Sequence, residues 1–172
     1  NDPQIIAGQG TLAIELLDQL PRLDVVYVSI GGGGLISGIG SVLKAFSPNT
    51  RVVGVSAKNS AELAASIRAG KMVKVDHQET LADGCAGGVD NDTITLGLGT
   101  EVIDDLIDCS EKQIESGLQQ VAWNEKMLVE GSAGLAYAAW QEDSHKNTNK
   151  ISAVVLCGAN FDKETLLPIF NS

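Results

Sequence analysis

Four consecutive glycines, Gly31-Gly32-Gly33-Gly34, are the strongest chemical signal in the chain. Without Cβ atoms such a backbone can reach φ > 0 and come very close to a ligand. The run follows Val25-Val26-Tyr27-Val28-Ser29-Ile30 and precedes Leu35-Ile36-Ser37-Gly38-Ile39-Gly40, so a buried strand leads directly into a helix that continues to about Phe46. That helix aims its unpaired N–H groups and the positive end of its dipole at the same spot. The combination is an anion cradle, most simply for a phosphate.

Subtraction narrows the phosphate ligand. A nucleotide-binding Gly-x-x-x-x-Gly-Lys-Ser/Thr loop fails because Gly38 is followed by Ile39. A dinucleotide fingerprint fails because its third glycine would fall on Ser37 or Ile36. The next strand, Arg51-Val52-Val53-Gly54-Val55, ends at Ser56 and not at the ribose-binding acid which that fingerprint requires. ATP and NAD are disfavoured.

The elements that must position the cradle alternate between strands and helices. The spacing predicts helices over 12–20 (capped by Thr11, stopped by Pro21), 34–46, 60–69 (closed by Gly70), 111–126 (capped by Ser110), 131–140 and 164–170, and strands over 24–29, 51–55, 101–109 and 151–156. Gly38 and Gly40 each cost a helix about 1 kcal/mol, which a very close approach to the sheet would justify. Residues 71–100 show no strong periodicity, a length usually reserved for functional loops. This alternation is that of an α/β fold, a parallel sheet with helices on both faces. Ligands then bind beyond the C-terminal strand ends, where the glycine run and Cys157-Gly158-Ala159-Asn160 should face one another.

Composition sets the bounds. The 172 residues suggest one domain, and 44% hydrophobic with 4% aromatic content implies a core of Ala, Val, Leu and Ile. Twelve basic against twenty-two acidic residues give 12 − 22 = −10, with no basic run, which argues against nucleic acid and anionic membrane partners. Cys85, Cys109 and Cys157 show no CxxC spacing, so neither a disulfide framework nor a zinc site is expected, and a reduced, cytoplasmic setting fits. There is no membrane-length apolar run and no signal-peptide pattern. His145 lies in a polar stretch and reads as a solvated surface residue. The start at Asn1-Asp2-Pro3, without methionine, suggests a fragment or a processed product.

The order of Ala7-Gly8-Gln9-Gly10-Thr11, Gly31-Gly32-Gly33-Gly34-Leu35, Thr80-Leu81-Ala82-Asp83-Gly84, Glu130-Gly131-Ser132-Ala133-Gly134 and Leu156-Cys157-Gly158-Ala159-Asn160 resembles the fold-type-II pyridoxal-phosphate enzymes, in the branch of threonine and serine dehydratases and serine racemases. The resemblance runs from end to end. It implies the large domain of the tryptophan-synthase-β-like fold, with residues 1–172 as one cofactor-binding portion. The expected cofactor is pyridoxal 5′-phosphate, held by Gly31, Gly32, Gly33, Gly34, Leu35, Cys157, Gly158, Asp83 and Gly84. By the same resemblance Cys157 lies beside the pyridine nitrogen. A thiol cannot protonate that nitrogen as a carboxylate would, which weakens the electron sink and favours β-elimination of a hydroxyl over transamination. The alternative for Cys157 as a bare residue is a small buried hydrophobe, but its place at a strand's C-terminal end after Leu156 favours a ligand-facing role. Glu130 either faces the cofactor or substrate or serves as a helix N-terminal acid; it is the one catalytic candidate.

Two departures qualify the resemblance. No lysine here has the family's Ser-x-Lys-x-Arg-Gly setting, so the anchoring lysine, the substrate-carboxylate loop and the re-protonating serine are expected in an upstream, smaller domain absent from this chain. The implied reaction converts threonine or serine to a 2-oxo acid and ammonia, with racemization or a non-catalytic phosphate-binding remnant as alternatives. The implied partners are the amino-acid substrate, the missing N-terminal portion and further copies in a homo-oligomer, with self-association through exposed apolar surface. The second departure concerns the family's cation site, where Ser56, Ser60 and Glu62 stand. With one carboxylate lost, no divalent metal is expected, and a monovalent ion remains open.

Overall fold

The computed structural model describes residues 1–171. The apolar runs pair as expected in one parallel sheet of four strands: β1 (Val25–Ser29), β2 (Arg51–Ala57), β3 (Asp105–Cys109) and β4 (Ser152–Val154), in the order β3-β2-β1-β4. Central β1 is buried along its whole length, with Val25 opposite Arg51 on one side and Ser152 on the other. Because side chains alternate faces along a strand, Tyr27, Val53 and Val55 join one apolar cluster while Val26, Val28 and Val52 join another.

Helices cover both faces. The Tyr27 side packs against α6 (Glu111–Gln120), α7 (Gly131–Glu142) and α8 (Lys163–Phe170), through Ile114, Leu118, Leu135 and Leu166. The opposite side packs against α2 (Thr11–Gln19), α3 (Gly34–Phe46) and α4 (Glu62–Ala69), through Ala13, Ile36, Ile39, Leu43 and Leu63. Each fully buried Leu or Ile contributes about 1.5–3 kcal/mol, so the cradle is fixed to a stiff platform. No helix among the described residues is long and apolar enough to cross a membrane.

Several elements differ from expectation. An additional helix, α1 (Pro3–Gln9), precedes α2; Asp2 caps it, accepting from Gln4 N at 2.8 Å. Thr11 is therefore the first residue of α2 and not its cap, and its hydroxyl donates to Gly8 O. A further helix, α5 (Thr95–Val102), occupies the end of the aperiodic stretch and shortens the strand expected over 101–109 to Asp105–Cys109. The helix capped by Ser110 has a full capping box with Gln113, but it ends at Gln120 and continues as a π-helical turn, Val121–Glu125. The Gly38 and Gly40 expectation requires correction as well. Added Cβ atoms there would meet not the sheet but neighbouring helices: Ile6 O of α1 at 2.3 Å and Val102 Cγ2 of α5 at 2.4 Å.

At the N-terminal end of the strands, away from the cradle, a buried polar network ties the sheet to α7. Tyr27 Oη donates to Asp143 Oδ2 at 2.8 Å, Arg51 binds Asp143 and also Asp105 (2.9 Å), and Asn147 donates to Tyr27 Oη. Burial pushes the Tyr27 phenol up to about 12. Burial opposes ionization of Asp143 too, but hydrogen bonds from Lys146, Arg51 and Tyr27 hold it below its ordinary value.

Candidate active site

The turn from β1 into α3 builds the site. Gly33 caps α3 in the left-handed region (φ 83°), and its carbonyl accepts from Ser37 N at 3.0 Å. The turn requires glycine on two counts, since a Cβ at Gly33 would be strained by its φ and would also lie 2.4 Å from Leu63 Cδ2. Cβ atoms at Gly32 and Gly34 would meet nothing within 4 Å, so these two face open space. Among the described residues, the amides of Gly32, Gly33, Gly34 and Leu35 find no acceptor. The 13-residue α3 adds its dipole at that point.

A cavity of about 220 Å³ opens there, lined by Gly31, Gly32, Gly33, Gly34 and Leu35, and closed by Ser29, Gly84, Cys85, Glu130, Ser132 and Cys157. The glycine turn and the loop after β4 thus meet at one ligand-sized space at the C-terminal strand ends. Ser29 Oγ donates to Ser132 O at 2.6 Å. Ser132 is buried, and its Oγ has the Cys85 thiol as a neighbouring polar group among the described residues, with no hydrogen bond of full geometry. A hydroxyl left in that state beside a cavity is a ready donor for a ligand.

Glu130 stands both at the N-terminus of α7, where its side chain makes no capping bond, and at the cavity wall. Its carboxylate accepts from Asn160 N at 2.9 Å, and Glu130 N donates to Gly158 O at 3.2 Å, which fixes the loop after β4. Gly158, at φ 108°, does not line the cavity; it makes room for Glu130, whose Cδ lies 2.3 Å from where its Cβ would be. Gly84 is close-packed in the same way, 2.7 Å from Glu130 Oε1 by the same measure. Asp83 lies outside the glycine cavity and lines a smaller neighbouring one with Glu130 and Asn160, while its Oδ1 accepts from Gly84 N.

The thiols stay protonated. Burial raises Cys85 to about 11, with Cys157 and Glu130 adding to it, and burial also raises Cys157. Ser29, Cys85 and Ser132 were not singled out in the sequence. Each adjoins a quoted motif: Ser29 precedes the glycine run, Cys85 follows Asp83-Gly84, and Ser132 lies inside the Glu130 motif. Among the described residues no lysine lines the cavity.

The residues at the expected cation position form a closed hydrogen-bonded group. Buried Glu62 accepts from Val89 N (2.9 Å) and Lys74 Nζ (3.0 Å), and contacts His77 Nε2 at 3.0 Å. The Val89 amide first, with Lys74 and His77, holds Glu62 down at about 2 despite burial. Ser60 Oγ bridges His77 Nδ1 and Gly87 N, and Ser56 is buried nearby in sequence with its Oγ unpartnered. The group ties α4 to the loop that carries Gly84 and Cys85.

The orphan amides, the open faces of Gly32 and Gly34, and the Ser132 hydroxyl at the cavity wall fit a ligand with a phosphate end. Comparison with known proteins agrees. The family described as pyridoxal-phosphate dependent enzyme matches residues 1–158. The catabolic L-threonine dehydratase of Escherichia coli K12 is 35% identical over 164 residues, 94% of this chain and 50% of that protein. Serine racemase of Arabidopsis thaliana is 33% identical over 177 residues, covering all of this chain and 53% of that protein. The solved structure of processed threonine deaminase isoform 2 from Solanum lycopersicum superimposes with a TM-score of 0.90 at 30% identity, over 99% of this chain and 50% of that one. The chain therefore spans about half the length of the curated relatives it matches. With a matching profile over 1–158, the same parallel sheet and a phosphate cradle at its rim, the chain belongs to the pyridoxal-phosphate dependent enzymes of fold type II.

Proposed function

We propose that this chain is the large-domain, cofactor-binding portion of an ammonia-lyase that converts threonine or serine to a 2-oxo acid and ammonia. The observation that carries this reading is the cavity at the β1–α3 turn, with its unpartnered amides and a half-buried thiol at Cys157. Gly32, Gly33, Gly34 and Leu35 would hold the phosphate of pyridoxal 5′-phosphate through their amides, and Ser132 Oγ would donate to the same ligand. When bound, the cofactor supplies an electron sink for charge developing at the substrate α-carbon. Cys157, kept protonated by burial, adds no negative charge near the ring. The sink stays weaker than one paired with a carboxylate, which supports loss of a β-hydroxyl over amino transfer. Glu130 holds the Gly158 and Asn160 backbone against the cavity and closes it from one side. The cofactor-anchoring and proton-abstracting lysine belongs to the smaller domain, outside this chain.

Spectroscopic and thermal titration tests the reading. The chain should bind pyridoxal phosphate far more tightly than pyridoxal, and should release no ammonia from threonine or serine until the remaining half is supplied. Equal affinity for the two vitamers would sink the cradle. A racemase is the second reading, favoured by the 33% identity to the Arabidopsis enzyme; D-serine in place of 2-oxo acid and ammonia would establish it. A chain that binds the cofactor yet stays silent with the complementary half would be a non-catalytic binding remnant, which the lysine-free lining also favours.

A further inference from the structure

The aperiodic segment after α4 folds back onto the first turn of that helix. Its anchor there is Glu62, the first residue of α4, whose carboxylate is buried. Glu62 Oε1 accepts from Lys74 Nζ at 3.0 Å and from Val89 N at 2.9 Å, and Oε2 meets His77 Nε2 at 3.0 Å. Lys74 Nζ also donates to Val89 O at 3.2 Å. The ammonium thus stands between a carboxylate oxygen and a backbone carbonyl, the two kinds of oxygen that a hard metal ion takes. A metal ion brought to Glu62 would meet that positive charge and an inward-pointing amide, so the residues here do not fit one. The pair is lopsided: the Glu62 side chain is 1% exposed and that of Lys74 is 65% exposed. Lys74 therefore contributes charge more than packing, and taking the charge away would leave a buried carboxylate short of its cation.

What the anchor holds is a wall of the cofactor cavity. Gly84 and Cys85, just before Val89, line that cavity, and the Cys85 Cα lies 3.1 Å from where a Gly31 Cβ would be. Gly87 N donates to Ser60 Oγ at 3.0 Å, which ties the same stretch to the turn ahead of α4. We propose that Lys74 is a built-in cation: its ammonium stands where a metal ion would on Glu62 and positions residues 83–89, so that this wall of the cavity forms without a bound metal ion. Lys74 and Glu62 are positioning residues, acting on a ligand only through Gly84 and Cys85. The link to loop order stands on its own; the link to pyridoxal-phosphate affinity rests on the cradle reading.

The test compares amide exchange, read by mass spectrometry, in the purified chain and in Lys74→Met and Lys74→Arg. Each is measured with a chelator, with sodium replaced by potassium, and with millimolar Mg²⁺, Ca²⁺ or Mn²⁺ at constant ionic strength. In the native chain exchange over 83–89 should be the same in every solution. Lys74→Met keeps the stem and removes the charge; it should exchange over 83–89 at least tenfold faster, with β1 and β2 as slow as in the native chain. Its pyridoxal-phosphate affinity should fall at least threefold. Lys74→Arg keeps the charge at an exposed position and should behave as the native chain does. Slower exchange over 83–89 in the native chain on adding any of these ions overturns the proposal. So does native exchange in Lys74→Met, or an Arg variant as loose as the Met variant, since either would remove the role of the charge. Acceleration spread equally over β1 and β2 would make Lys74 a general stabilizer and overturn it too. A native chain that fails to bind pyridoxal phosphate would count against the cradle alone, with the exchange result still deciding the role of Lys74.

Discussion

Adjacent glycines in the cradle do different work, and substitution separates them. Alanine at Gly34 meets nothing within 4 Å and begins a helix, so Gly34→Ala should fold as well as the native chain or up to about 1 kcal/mol better. The added methyl stands in the cradle, and pyridoxal-phosphate affinity should fall at least tenfold by absorbance titration. Gly33→Ala forces a left-handed alanine against Leu63 and should cost roughly 1–3 kcal/mol in urea unfolding. Glu62 gives a pH signature. Its carboxyl lies at about 2 when folded against an ordinary 4.5, so the folded chain binds fewer protons in that interval. Stability from this group is full above pH 4.5 and is lost as pH falls towards 2. Glu62→Gln should lower stability at neutral pH and make the acid limb shallower; an unchanged limb in acid titration would refute the assignment. The glycine run and Cys157 were legible because each is a local pattern at a strand end. Ser29, Ser132 and Cys85 were not, because their place in the cavity depends on three separate segments converging, which no local spacing encodes.

Helix packing explains both the successes and the failures of sequence reading at the next scale. β1, β2 and α3 were readable because strong apolar runs and a glycine turn agree on one answer. Helix α5 was not, because Thr95, Gly97, Gly99 and Thr100 are weak helix formers and the helix exists through contacts: Val102 over Gly40, and Ile67 of α4 beside Gly99. Helix α1 did carry a signal, Asp2 as cap and Pro3 at the first position, but its shortness and internal Gly8 masked it. Gly38 shows how close these contacts are. Alanine there gains about 1 kcal/mol of helix propensity, yet its Cβ would sit 2.3 Å from the Ile6 carbonyl, backbone that cannot move aside cheaply. Gly38→Ala should therefore be destabilizing by about 1–2 kcal/mol net, read as a lower urea midpoint at constant slope. The network of Tyr27, Arg51, Asp143 and Asn147 was equally hidden, its members lying up to 120 residues apart in sequence.

Taken whole, the molecule has a ligand rim at one end of its strands and a fixed polar base at the other. Pyridoxal phosphate at one hundred times its dissociation constant should stabilize the chain by about 2.7 kcal/mol, visible as a higher thermal midpoint, while pyridoxal should give little. The edges of the sheet add a rule for assembly that neither end supplies. Head-to-tail stacking of copies would need β4 of one to meet β3 of the next, and the acidic, ion-paired β3 rejects it. What remains is face-to-face pairing of two β4 edges, a closed arrangement with no site for a third copy. The chain on its own should thus go no further than dimers and give no thioflavin-positive fibres on prolonged incubation. The charged β3 edge acts as a chain terminator, and the sheet can be extended once but cannot polymerize.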